Sequence, residues 1–299
     1  MNMLLDDNAT EQLQAQTIAV QMDMTRFGTS KNFEDSYITD IARTLEASAD
    51  RIKAMQVIVN TKHPAYSAVT SHMSKVKREF KEKTVSYPEP SVRLLHIDNL
   101  EKFQQYITEQ CQILETLVTT LDSHRDELVD DARRKLGRPF REDYYPRTFV
   151  GKFTISVSYP SIGPDERLQR LNPELYEQQK RRFASMMEQA IEETTAALAS
   201  ELQDILGSIA SQLTQGKQLR TNMFDPLNNF LDRFADVRLG SSRAIQDVVD
   251  QARSILSARG SVAIARSASV RTAIAQSLAP LHENVSQFVQ DAPYRMIQL

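Results

Sequence analysis

Two stretches of this chain hold an amphipathic helical rhythm far longer than most globular helices do. The first runs from about Asp98 to Leu136 and the second from about Asn172 to Gln215. At 1.5 Å per residue each would extend roughly 55–65 Å, against the three or four turns of an ordinary helix. In the first, Leu100, Phe103, Ile107, Leu114, Leu117, Leu121 and Leu128 follow a three-four rhythm, and Gly137 before Arg138-Pro139 reads as a stop signal. The second opens on Asn172-Pro173-Glu174, an N-cap followed by proline at the first helical position. Its apolar stripe includes Phe183, Met187, Leu198, Leu202, Ile205 and Ile209. Stripes of this length have to be covered. The packing seam is expected at Leu114, Leu117 and Leu121 on one rod and Leu198, Leu202 and Ile205 on the other. The rods would bury each other or pair with a second copy.

The segments around the rods are shorter. Residues 17–26 alternate, with Ile18, Val20, Met22 and Met24 against Ala19, Gln21, Asp23 and Thr25, which is the pattern of a half-buried strand. Phe153, Ile155 and Val157 alternate with Thr154, Ser156 and Ser158 in a second strand over 152–159, and Val92–Ile97 is a candidate third. A helix is expected from Glu34 to Val59. Another begins at Pro64 and carries Tyr66, Val69, Met73, Val76 and Phe80 as a short coiled-coil-like seam. Asp98 reads as the N-cap of the first rod. Asp225-Pro226 and Ser241 or Ser242 start shorter helices, Gly216 ends the second rod, and Pro280 interrupts a weakly amphipathic tail. The fold class is therefore mainly α with a small antiparallel sheet, a long-helix bundle or coiled-coil-like rods. Three regions are expected: 1–97 with strand and helices, 98–216 with the two rods and an aromatic β-segment, and 217–299 with short helices.

Composition narrows the function classes. A formal charge of −3 excludes a uniformly basic chain, so nucleic-acid binding would need a local patch. The single cysteine, Cys111, cannot form an intrachain disulfide, and a reducing cytoplasm is the simplest setting. The opening MNMLLDDNAT has acids where a secretory leader needs basic residues and an apolar run. No run approaches the length of apolar sequence that spans a bilayer. A cytoplasmic chain without membrane contact is expected.

Catalytic and metal motifs are not evident. His63, His72, His96, His124 and His282 are scattered, without the i,i+4 or CxxC spacings of metal sites. Gly28-Thr29-Ser30-Lys31 lacks the first glycine of a phosphate-binding loop and reverses the order of its last two residues. The acidic residues Asp122, Asp126, Asp130, Glu188, Glu192 and Glu193 lack the Glu-x-x-His partners of helical di-iron sites. No cofactor and no enzymatic activity are expected. The most suggestive cluster is Arg133, Arg134, Lys135, Arg138 and Arg141 interleaved with Phe140, Tyr144 and Tyr145. Guanidinium groups beside rings can grip phosphates and stack bases. The competing reading has the aromatics plugging a junction between rod and sheet, with arginines at its rim.

Ser91-Val92-Arg93-Leu94-Leu95, the helix end Ala132-Arg133-Arg134-Lys135-Leu136-Gly137, Tyr145-Pro146 and the strand Lys152–Tyr159 with Pro160 occur here in a familiar order. Over residues 17–260 the chain resembles a family of phage and prophage proteins known as a domain of unknown function. Some members are encoded near a MoxR-type AAA+ ATPase and a von Willebrand A-type protein. The resemblance implies a viral or mobile-element origin, a role in an assembly and an AAA+ ATPase among the candidate partners; it brings no catalytic residues. The expected function is a non-enzymatic helical scaffold or adaptor that works through protein contacts and self-association. The alternative is a nucleic-acid-binding accessory protein of phage replication or recombination, acting through residues 133–149.

Overall fold

The period-two stretch forms strand β1, Thr17–Thr25, the strand around which a small antiparallel sheet is built. The computed structural model describes residues 15–89, 91–214, 223–237, 243–257 and 268–291. Two more strands, β2 (Ser30–Asn32) and β3 (Met55–Val57), pair as a separate antiparallel ribbon. Strands β4 (Val85–Ser86), β5 (Val92–His96) and β6 (Thr154–Ser158) complete the sheet in the order β4-β5-β1-β6. Thr17 faces His96 and Gln21 faces Val92 across the β1–β5 ladder. The described helices are α1 (Asp35–Thr44), α2 (Pro64–Lys83), α3 (Leu100–Ser123), α4 (Arg125–Leu136), α5 (Glu166–Leu171), α6 (Pro173–Thr214), α7 (Asp225–Val237), α8 (Arg243–Ser257) and α9 (Ala268–Asp291). The fold is mostly helical with a small sheet, as the patterning implies.

The chain divides into two compact units, neither contiguous in sequence. One comprises 1–21, 81–100 and 159–299; the other comprises 22–80 and 101–158. The boundaries expected at 97 and 216 are not where the division falls. It runs instead through β1, whose Ala19 joins one core while Met22 and Met24 pack against the other, and through the end of α2.

In the first unit the 42 residues of α6 form a rod about 63 Å long. Asn172 caps it as expected, its side-chain oxygen accepting from the Leu175 N–H at 3.1 Å. Met187, Leu202, Leu206 and Ile209 are covered by Leu227 and Phe230 of α7, Val249 and Ala252 of α8, and Leu278, Leu281 and Val285 of α9. Gly207 allows close approach: a Cβ there would stand 3.3 Å from Nε2 of His282. Helix α9 runs through Pro280 without ending, contrary to the expected interruption. The expected signals at Gly216, Ser241 and Ser242 lie outside the described residues.

The second unit packs the buried stripe of α2, Val69, Met73 and Val76, with Leu114, Val118 and Leu121 of α3 and Leu128, Val129 and Ala132 of α4. Phe149 is fully buried, edge-on to Phe27 at 5.4 Å between centroids. The first rod is not continuous. It breaks at His124, whose backbone sits at φ −96° and ψ 9°. Thr116, Thr119, Thr120 and Ser123 bond back to carbonyls three or four residues earlier, a pattern that bends helices. Gly137 ends α4 at φ +60°, as its place in the sequence suggests. Asp98 is not an N-cap. Its N–H is bonded by the His96 ring within a 3₁₀ turn over Ile97–Asn99.

The helix expected over Glu34–Val59 stops after Thr44. Glu46 takes φ 52°, the Ala47 N–H bonds the Ala42 carbonyl and the Glu46 N–H bonds that of Arg43. This is a Schellman stop with glutamate where glycine is usual. The seam is also corrected. Leu114, Leu117 and Leu121 serve one core, while Leu198, Leu202 and Ile205 serve the other, so the two stripes are covered separately.

Candidate functional site

The basic–aromatic segment lies wholly in the second unit, and four of its five clustered cations are paired with acids. Arg133 reaches Asp130 at 2.9 Å and Glu142 at 3.4 Å. Arg134 lies 3.8 Å and Lys135 3.0 Å from the Asp131 carboxylate. Arg141 donates through Nε at 2.8 Å and Nη2 at 2.5 Å to Glu34, which holds its guanidinium above the ordinary arginine range. Arg138 is exposed just after the Gly137 stop. Five cations therefore stand among four carboxylates, Glu34, Asp130, Asp131 and Glu142. That balance leaves little of the one-sided charge on which phosphate binding depends. Water screens exposed pairs of this kind, so together they neutralise the patch more than they stabilise it.

The aromatic residues divide. Tyr145 is buried and its hydroxyl donates to the Ile58 carbonyl at 2.6 Å. Burial pushes this phenol up to about 12. Its ring stacks on Phe140 at 5.5 Å, and the Arg133 guanidinium lies 5.1 Å from the Phe140 centroid. Lys31 lies 5.7 Å from the Tyr144 ring. Tyr145 therefore cannot stack on a base or reach a partner from where it sits. Its ring and hydroxyl are engaged inside the second unit, against Phe140 and Ile58.

The same unit brings together three residues that the sequence did not group. His63 lies just ahead of α2, His124 is the break between α3 and α4, and Glu127 is in the first turn of α4. Glu127 Oε2 is 3.0 Å from His124 Nδ1, and Oε1 is 3.7 Å from His63 Nε2. The two imidazoles lie 5.2 Å apart between centroids. The hydrogen bond from His124 is the main reason the Glu127 carboxyl sits below its ordinary range. The spacing His124-x-x-Glu127, one helical turn, was the available signal; nothing in the sequence linked His63 to it.

The ribbon of β2 and β3 is inside out. Gln56 is 5% exposed and its Oε1 has no hydrogen-bond partner, whereas Met55 and Val57 beside it are 62% and 60% exposed. Alternation puts Met55 and Val57 on one face. The ladder is extended by bonds from Phe33 to Ala54 and from Ile58 to Thr29. Among the described residues each strand has one unpaired edge.

The first unit holds a pocket of about 380 Å³ whose lining includes Lys81, Thr84, Arg93, Glu193, Glu201 and Arg233. Arg233 is paired with Glu201. Arg93 is half-buried and donates to the Thr84 hydroxyl at 2.6 Å, Ser86 at 3.1 Å, and the carbonyls of Lys81 and Thr84 at 3.0 and 2.6 Å. Burial lowers its pKa from the usual arginine value. This guanidinium ties β4 and β5 to the end of α2, and the lining includes no histidine or cysteine to act as base or nucleophile. No helix among the described residues is long and apolar enough to cross a membrane.

The chain matches no protein-family model, and no curated protein or solved structure matches it. What these sites can do is argued from their geometry.

Proposed function

We propose that the protein is a non-enzymatic helical adaptor that self-associates and binds other proteins, with the β2–β3 ribbon as its docking edge. The observation that carries this is the inverted strand: a buried glutamine between two apolar side chains that face water. Exposed apolar residues on a short strand with an unpaired edge invite another strand or apolar face. A second copy of the chain is the first occupant. The resemblance to the phage and prophage family adds an AAA+ ATPase as the partner such an adaptor would serve. The charge-matched basic segment gives the nucleic-acid reading no separate support.

Light scattering after size-exclusion chromatography, over a range of concentrations, tests the proposal. The wild-type chain is expected to show concentration-dependent association. Met55→Lys with Val57→Lys is expected to abolish it and to leave the melting temperature within the small shift typical of surface substitutions. A wild-type chain that stays monomeric at every concentration overturns self-association.

A further inference from the structure

We infer that His63, His124 and Glu127 form a binding site for a divalent transition metal of the zinc class. Two imidazole nitrogens and one carboxylate are a donor set that zinc accepts with a further position left for water. One donor atom from each residue lies within 4.8 Å of the others. In a tetrahedral zinc site with metal–ligand distances near 2.05 Å, neighbouring ligand atoms stand roughly 3.3 Å apart. His124 Nδ1 lies 3.0 Å from one Glu127 carboxylate oxygen and His63 Nε2 3.7 Å from the other, close to that spacing on both sides of the carboxylate.

The surroundings of His63 point the same way. Its Nδ1 is buried and has no hydrogen-bond partner. Its other ring nitrogen, Nε2, is the one 3.7 Å from Glu127, so the ring's polar contacts lie on the cluster side and the cluster orients it. The competing cation beside His124 is already engaged: Arg125 donates to Asp126 at 2.7 Å and to the Pro146 carbonyl at 2.7 Å. Exposure rises from 14% at the His63 side chain through 44% at His124 to 62% at Glu127. The site is thus rooted on one side and open on the other, which gives a metal an entry path and a position for water. Among the described residues no other trio of His, Cys, Asp or Glu is so disposed.

A bound ion would tie the start of α2 to the break between α3 and α4, so binding stabilises the fold by mass action. The test uses the full, untagged chain freed of metal by chelation. Titration with Co²⁺ is expected to give visible ligand-field bands that saturate at one equivalent and are displaced by Zn²⁺. Zn²⁺ is expected to raise the melting temperature, whereas Mg²⁺ and Ca²⁺, which favour all-oxygen sites, leave it unchanged. His124→Gln and Glu127→Gln alter exposed side chains and are expected to keep the helical spectrum while each weakens Co²⁺ binding at least tenfold. Absence of the bands in the wild-type chain, or unchanged Co²⁺ affinity in the folded double variant, overturns the site.

Discussion

Tyr145→Phe removes a single oxygen and separates two accounts of the aromatic junction. If the residue is a structural plug, its hydroxyl is fully engaged at 2.6 Å with the carbonyl of Ile58, a residue with no exposed surface. Loss of that bond leaves a buried carbonyl short of its partner, which costs about 1–3 kcal/mol. Tyr145→Ala also removes the ring stacked on Phe140 and leaves a cavity, raising the expected cost to about 3–5 kcal/mol. Urea denaturation is the assay, with the midpoint read at constant m-value. The pH dependence supplies an independent check. A phenol raised from 10.0 to about 12 keeps its proton in the folded state where the unfolded chain loses it. Its contribution is full below pH 10 and is lost as pH rises toward 12. The wild-type chain should therefore lose more stability over that interval than Tyr145→Phe does. The residual loss in the variant belongs to other groups raised chiefly by burial, Tyr87 to about 12 together with Tyr66 and Cys111. A Tyr145→Phe variant within about 0.5 kcal/mol of wild type, with the same alkaline profile, would refute the reasoning and return the hydroxyl to the list of partner contacts.

Gln56→Met replaces the buried amide whose Oε1 has no partner with an apolar side chain of similar volume, and is expected to stabilise the chain by about 1 kcal/mol in urea titrations. Pro280→Ala restores an N–H for the carbonyl of Gln276 within α9; a gain of up to about 3 kcal/mol and higher helicity by circular dichroism are expected. The Asp165 carboxyl, which caps α5, is lowered from 3.8 to about 2 by its hydrogen bonds with the Arg167 side chain first and the Arg167 N–H second. A carboxyl lowered on folding contributes above its unfolded value, so this cap is intact above pH 3.8 and is lost as pH falls through 2. Carboxyl resonances followed by NMR should place its midpoint near that lower value, and Arg167→Ala should raise it.

The parts of the fold that were legible in the sequence are those where a local signal and the tertiary environment agree. Strand β1 forms over the period-two stretch and pairs through Thr17–Gln21 with β5. Helix α6 begins at Asn172-Pro173 because the cap and the proline satisfy its first turn without help from elsewhere. The stop after α1 was hidden because Glu46 holds a conformation that glycine usually announces. The separation into two cores was hidden for another reason. Leucine spacing states that a stripe is covered but not by what, so Leu121 and Leu202 look alike in sequence and belong to different interiors. The basic and aromatic residues of 133–149 do lie close together, Arg133 against Phe140 and Phe140 against Tyr145. The carboxylate of Glu34, about a hundred residues away in sequence, and the depth of Tyr145 were not deducible from the spacing.

The break at His124 shows how tertiary contacts can fix what no local residue dictates. Residues 98–136 contain neither glycine nor proline, the usual causes of a sharp helix interruption. Around the break, however, successive side chains each reach a different segment. Asp122 accepts the Phe149 N–H at 2.6 Å, Arg125 donates to the Pro146 carbonyl at 2.7 Å, and Glu127 faces both His124 and His63. Side chains at 122, 125 and 127 of an unbroken helix would point 300° and then 200° around its axis at 100° per residue. They would still need to meet the 146–149 loop and the start of α2 at once. The 3₁₀-like bond from the His124 N–H to Leu121 changes that direction locally, and the returning serine and threonine hydroxyls lower the cost of the change. The break is therefore held by the same contacts that assemble the histidine cluster. A metal bound there would act where the ends of α3 and α4, the 146–149 loop and the entry to α2 already meet.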